Sequence, residues 1–161
     1  MNNKSNIIIY ILCPNSNIYN EAKLIYKKYI WAKPVILENQ DYSFENVFWK
    51  QLKKYKNEWL NVDMVGTLSS SAYKKISIIE IDQIIQNKLY YPNKYFHFMD
   101  SNVPIPNFNT NVHEKFNEIW FDILEQLNLK NVTENCCNYW MCAPDLMIQF
   151  IDWYTTICLP V

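Results

Sequence analysis

The chain contains no arginine; all fifteen basic residues are lysine. It therefore has no planar guanidinium fork to grip a phosphate or carboxylate through two parallel bonds, so an anion must be met by lysine, backbone N–H groups or a metal. It contains a single glycine, Gly66. A dinucleotide-binding G-x-G-x-x-G loop needs three glycines, and a G-x-x-x-x-G-K-[ST] phosphate loop needs two. The G-x-S-x-G elbow of serine hydrolases needs two as well, so all three are excluded. Of the two histidines, His97 reads as a packing residue inside a strand and His113 as an exposed residue in the first turn of a helix. The zinc-binding H-E-x-x-H pattern is absent. No apolar run approaches the ~20 residues that span a bilayer. Ile7–Cys13 is short, follows one lysine and precedes no small-residue cleavage site, which argues against a secretory signal.

The five cysteines, Cys13, Cys136, Cys137, Cys142 and Cys158, are odd in number and irregular in spacing, with no C-x-x-C pair. That pattern suits neither a zinc site nor a disulfide framework, and reduced cysteines in a cytoplasmic protein are expected. The net charge of −1 gives no basic face for nucleic acid. What the chain does have is apolar mass. Half of its 161 residues are hydrophobic and 16% are aromatic, enough for one domain, residues 1–161, with a sizeable core. The 21 asparagines accompany abundant Ile, Lys and Tyr, a bias of AT-rich codons. Chance then accounts for the sequon Asn131-Val132-Thr133. The apolar ending Ile157–Val161 reads as a truncation within a longer protein.

Strand-like runs alternate with helical patterns. Strands are expected at Ile7–Cys13, Pro34–Leu37, Val62–Leu68, Tyr95–Met99 and Cys137–Met141. Between them, Ile18, Ala22, Ile25, Tyr26 and Tyr29 recur at helical spacing behind Ser16 as N-cap. Phe44, Val47, Phe48, Leu52 and Tyr55 do so behind Ser43, and Ile81, Ile84 and Ile85 behind the capping box Ser77–Glu80. The clearest pattern is Val112, Phe116, Ile119, Trp120, Ile123 and Leu127. Pro144 opens a last helix carrying Met147, Phe150, Ile151 and Tyr154. Strict alternation of this kind predicts an α/β three-layer sandwich around a mainly parallel sheet of about five strands. Gly66, inside the third strand, signals a close backbone approach or a bulge.

Open α/β sheets bind ligands beyond the carboxyl ends of their strands. Asp100-Ser101-Asn102 follows the fourth strand directly, where a carboxylate can hold a divalent cation; the same residues also start turns. Lys74 and Lys75, after Ser69-Ser70-Ser71, can meet phosphate charge or simply be solvated. Glu45, Asp63 and Asp145 are candidate carboxylates, although Glu45 and Asp145 also suit the first turn of a helix through its dipole. Trp49, Trp120 and Trp153 fit helix core faces. Tyr139 and Trp140, adjacent in a strand, must face opposite sides, so one of them is free to line a cleft.

Two stretches resemble capsule- and lipopolysaccharide-type glycosyltransferases of bacteria and their large-DNA-virus relatives. One is Glu45-x-x-x-Trp49, Asp63-x-Val65-Gly66-Thr67-Leu68 and Ser71-Ala72-Tyr73-Lys74-Lys75. The other is Cys137-Asn138-Tyr139-Trp140-Met141-Cys142-x-Pro144 with Met147. The resemblance spans roughly residues 7–157. It implies a Rossmann-like, GT-A-type nucleotide-diphospho-sugar transferase serving polysaccharide biosynthesis. A nucleotide sugar would be held by Asn15, Glu45, Gly66, Lys74, Lys75, Asn102, Asn138 and Trp140. Asp100 would carry Mn²⁺ or Mg²⁺, and Asp145 would deprotonate a glycan or other hydroxyl acceptor. The family's Asp-x-Asp stands here as Asp100-x-Asn102. That departure, with the short length, keeps open a second expectation: a non-catalytic α/β module that binds a glycan or protein partner.

Overall fold

The computed structural model describes residues 6–38, 44–98 and 139–158, with residues 44–47, 157 and 158 described by their backbone alone. Asp100, Asn102, Asn138, His113, Trp120, Cys136, Cys137, the helix expected over Val112–Leu127 and the side chains of Glu45 and Cys158 lie outside the described residues.

Along the chain come β1 (Ile7–Cys13), α1 (Ser16–Tyr26), β2 (Ala32–Ile36), α2 (Phe44–Leu52), α3 (Lys56–Trp59) and β3 (Met64–Ser69). They are followed by α4 (Ile78–Gln86), β4 (Tyr95–His97), β5 (Trp140–Cys142) and α5 (Pro144–Trp153). A 3₁₀ turn, Lys53–Tyr55, links α2 to α3, a second one, Ala72–Lys74, follows β3, and a π turn, Tyr154–Cys158, follows α5. The strands run in the order β2-β1-β3-β5-β4. β2, β1 and β3 are parallel, whereas β5 is antiparallel to both of its neighbours. The sheet is therefore mixed, with a parallel centre. β4 points the same way as β3, but the two do not touch, because β5 occupies the slot between them.

Side-chain alternation along β1 explains why the sheet is covered on both faces. Ile7, Ile9, Ile11 and Cys13 pack with Ala22 and Tyr26 of α1 and Ile81 and Ile85 of α4. Tyr10 and Leu12 pack with Phe48 and Leu52 of α2, Trp59 of α3 and Met147 and Ile151 of α5. Tyr139 and Trp140 divide in the same way, the first into the α1/α4 core and the second into the other. Trp49 joins the second core, stacked on Trp140 at 5.4 Å. Trp153, expected on a core face, is instead 40% exposed. His97 is half-buried. The thiols of Cys13 and Cys142 are free and buried, and burial pushes them up to about 11 and about 12.

Local chemistry sets the element ends. Asn15, not Ser16, caps α1: its extended backbone lets the side chain accept the Ile18 N–H at 3.0 Å. Ser77 accepts the Glu80 N–H at 3.4 Å, as the capping box predicts. α4 ends in a Schellman motif, in which Leu89 N–H donates to the Ile84 carbonyl at 3.0 Å and Lys88 N–H to that of Ile85 at 3.2 Å. Lys88 has φ +52°, the left-handed conformation that favours glycine. Buried Gln51 anchors the end of β2, its Nε2 donating to the Ile36 carbonyl at 2.9 Å and its Oε1 accepting the Glu38 N–H at 3.3 Å. Just past β2 the N–H of Leu37 faces β1, where it donates to the Cys13 carbonyl. By the period of two, the position of Pro34 faces away from β1 and loses no ladder bond.

Gly66 is opposite Ile9 on one side and Met141 on the other. A Cβ added there would lie 2.4 Å from the Trp140 carbonyl oxygen and 2.6 Å from the Met141 Cβ. The single glycine is thus a close-approach residue within the sheet. Gly66→Ala should destabilise the protein by about 2–3 kcal/mol through overpacking against backbone, read as a lower midpoint in urea unfolding. Lys88→Gly should instead stabilise it by about 1 kcal/mol by relieving the left-handed residue, raising the same midpoint.

Candidate functional site

β1 leads through α1 to β2 on one side, and the chain then returns to lay β3 on the other side of β1. The carboxyl ends of β1 and β3 are where the chain diverges, the place where open α/β sheets form a crevice. Ser70 N–H donates to the Leu12 carbonyl at 3.0 Å and holds the end of β3 against β1. β5, running the opposite way, starts at this same edge, so Tyr139 arrives beside Ser69. Their hydroxyls share a 2.7 Å hydrogen bond, and Ser69 Oγ lies 3.2 Å from Ser71 Oγ. The chain leaves β4 here too, with Phe98 N–H donating to the Tyr139 carbonyl at 2.8 Å.

The 3₁₀ turn Ala72–Lys74 folds back over this edge. Buried Ala72 fixes it to the core, while Lys74 and Lys75 are exposed. The Lys75 ammonium stands 5.8 Å from the Tyr139 ring centre and that of Lys74 5.7 Å from the Tyr73 ring. Lys74 forms no ion pair among the described residues. Tyr73 OH donates to Glu21 Oε1 of α1 at 3.2 Å. A cleft of about 70 Å³ opens between α1 and the turn. In the core beneath, the buried Tyr26 hydroxyl faces Tyr139 and the Tyr73 backbone without closing a hydrogen bond. Burial, then the neighbouring Tyr139, holds this phenol well above its ordinary value.

Of the residues expected to form a site, the structure brings Lys74, Lys75 and Asn15 to this edge, with the Asn15 side chain committed to capping α1. It places Gly66 buried mid-strand, away from that edge. Trp140, 8% exposed, packs its ring between Trp49 and Phe150; of the Tyr139–Trp140 pair it is the tyrosine that reaches the edge. Asp145 does not join the others. β5 ends at the amino edge of the parallel strands, so Asp145 lies across the sheet from Lys74, where its Oδ2 accepts from Lys94 Nζ at 2.6 Å. Asp63 is at that opposite edge as well, its Oδ2 accepting the Asn6 N–H at 2.9 Å. Glu45 lies on α2. Among the described residues no group of three or more His, Cys, Asp or Glu is placed to hold a metal ion. Nor is any described helix long and apolar enough to cross a membrane.

Sequence reasoning did not single out Glu21, which looks like any solvated α1 residue. The bond from Ser69 to Tyr139 crosses 70 positions and has no local signal. Neither family models, nor curated proteins, nor solved structures match the chain.

The hydrogen bond from Lys94 and its charge hold the Asp145 carboxyl below its ordinary value. A depressed carboxylate adds stability above its unfolded pKa, and this is lost as pH falls through the folded value. In a carboxylate-resolved NMR titration, Asp145 should titrate below the ordinary aspartate range in the native protein. Lys94→Met should move it upward.

Proposed function

We propose that the chain is a glycosyltransferase-like domain that binds a nucleoside-diphosphate sugar at the carboxyl edge of its sheet. The observation that carries this reading is the convergence of Ser69, Ser71, Tyr139, Lys74 and Lys75 on one edge, at the divergence of β1 and β3. Hydroxyls and ammonium groups both donate to phosphate oxygens, and lysine is the cationic donor in a chain with no arginine. In this reading Lys74 and Lys75 meet the diphosphate charge, while the hydroxyls orient it. The resemblance adds Mn²⁺ or Mg²⁺ at Asp100-x-Asn102, which lies outside the described residues; such an ion would supply further charge to a diphosphate. The glycan or other acceptor approaches from solvent.

One observation favours the second reading, a non-catalytic module binding a glycan or protein. Asp145, the acceptor base implied by resemblance, lies at the far edge in an ion pair, so the reading assigns no base among the described residues.

Calorimetric titration of uridine and guanosine diphosphates, with and without Mn²⁺, separates the two. The transferase reading expects one of them to bind. Replacing Lys74 and Lys75 together by alanine should then weaken binding at least tenfold, since a hydrogen bond to a charged group is worth about 1.5–3 kcal/mol. Asp100→Ala should remove the Mn²⁺-dependent part of the affinity. A wild-type chain that ignores both nucleotides is a binding module.

A further inference from the structure

The cleft between α1 and the Ser70–Lys74 segment carries a set of groups that a phosphate site does not explain. Its walls hold Glu21, Ser70, Ser71, Tyr73 and Lys74, with Ala22 at its apolar side. Glu21 Oε1 accepts the Tyr73 hydroxyl, and Oε2 takes no hydrogen bond among the described residues. A carboxylate only accepts, an ammonium only donates, and a serine hydroxyl does both. Glu21 and Lys74 put opposite charges on its walls, so within the cleft their fields offset and favour neither a simple anion nor a simple cation.

A neutral ligand whose adjacent groups each donate and accept satisfies both walls at once. A volume of about 70 Å³ is well below the roughly 300–1,000 Å³ of a pocket that encloses a whole small-molecule ligand. That matches two neighbouring hydroxyls better than a whole ring. The Tyr73 ring stands beside these groups as an amphipathic surface, apolar on its face and polar at its tip.

We propose that this cleft is a vicinal-diol subsite, in which the free oxygen of Glu21 accepts from the two hydroxyls of one sugar edge and Lys74 and Ser71 donate to them. The proposal rests on the reading of the carboxyl edge as a nucleotide-sugar site, and it names the sugar contact there. The diol has two sources of the same chemistry, the ribose of a nucleotide and the ring of a free glycoside.

The test compares wild type with Glu21→Gln, an exposed helix substitution that keeps shape and removes the charge, with the fold checked by circular dichroism. Three probes are titrated into each: uridine diphosphate, its 2′,3′-dideoxy analogue and methyl glucopyranoside. If the diol is ribose, Glu21→Gln weakens uridine diphosphate about tenfold, the loss of one charge-assisted hydrogen bond, and leaves the dideoxy analogue unchanged. If the diol belongs to a sugar ring, only the glycoside is weakened. Nucleotide binding that is equal in the two proteins, with glycoside binding also unchanged, overturns the subsite and leaves the nucleotide reading standing. Glycoside binding lost in Glu21→Gln by a protein that takes no nucleotide keeps the subsite and overturns the nucleotide reading. A wild type that binds none of the three overturns both.

Discussion

The approach of the Trp140–Met141 backbone to Gly66 is the contact on which the rest of the sheet depends. Among the described strands β4 pairs with β5, so its place in the sheet follows from β5 lying flat against β3. Any side chain at position 66 would meet backbone there, not the yielding end of a neighbour. β5 spends its short length on both layers, giving Tyr139 and Met141 to one core and Trp140 and Cys142 to the other. One missing Cβ therefore holds together the sheet, two cores and, through Tyr139, the edge where the candidate site forms.

Much of the architecture was legible in the residues. The seven-residue run Ile7–Cys13 is the central strand it suggested, Ser77 and Pro144 open the helices their types favour, and the lone glycine marked a close approach. The direction of β5 was not legible. A strand of three residues reads the same in either direction, and what orients it is pairing to Val65–Thr67 across more than 70 positions. The continuation of the second helix beyond Tyr55 into α3 escaped for a different reason. Lys53, Lys54 and Lys56 dilute its apolar pattern, and only tertiary burial of Trp59 completes it.

The reversed strand also explains why the site was only partly readable. In a wholly parallel sheet, a residue following the last strand would stand at the carboxyl edge, and Asp145, the base implied by resemblance, would have joined the lysines there. Because β5 runs backwards, the residue that precedes it, Tyr139, reaches that edge, and the residues that follow it reach the other. Lys74 and Lys75 stand at that edge because they lie just past the end of β3, whose direction is fixed by its parallel pairing with β1. Glu21 belongs to the same neighbourhood only through the packing of α1 beside the turn.

Pro34 has a consequence of a different kind. Among the described strands β2 is an outer one, and an outer strand offers a row of free amide hydrogens to any extended chain that meets it. At its midpoint Pro34 withholds one, and Lys33 is tied by its ammonium to Glu58. A second chain adding along that side would find a gap in its hydrogen bonding where a self-templating fibril needs continuity. In a protein with so much aliphatic and aromatic sequence, this is a barrier against uncontrolled stacking, placed on the outer strand, where a proline leaves the native ladder intact.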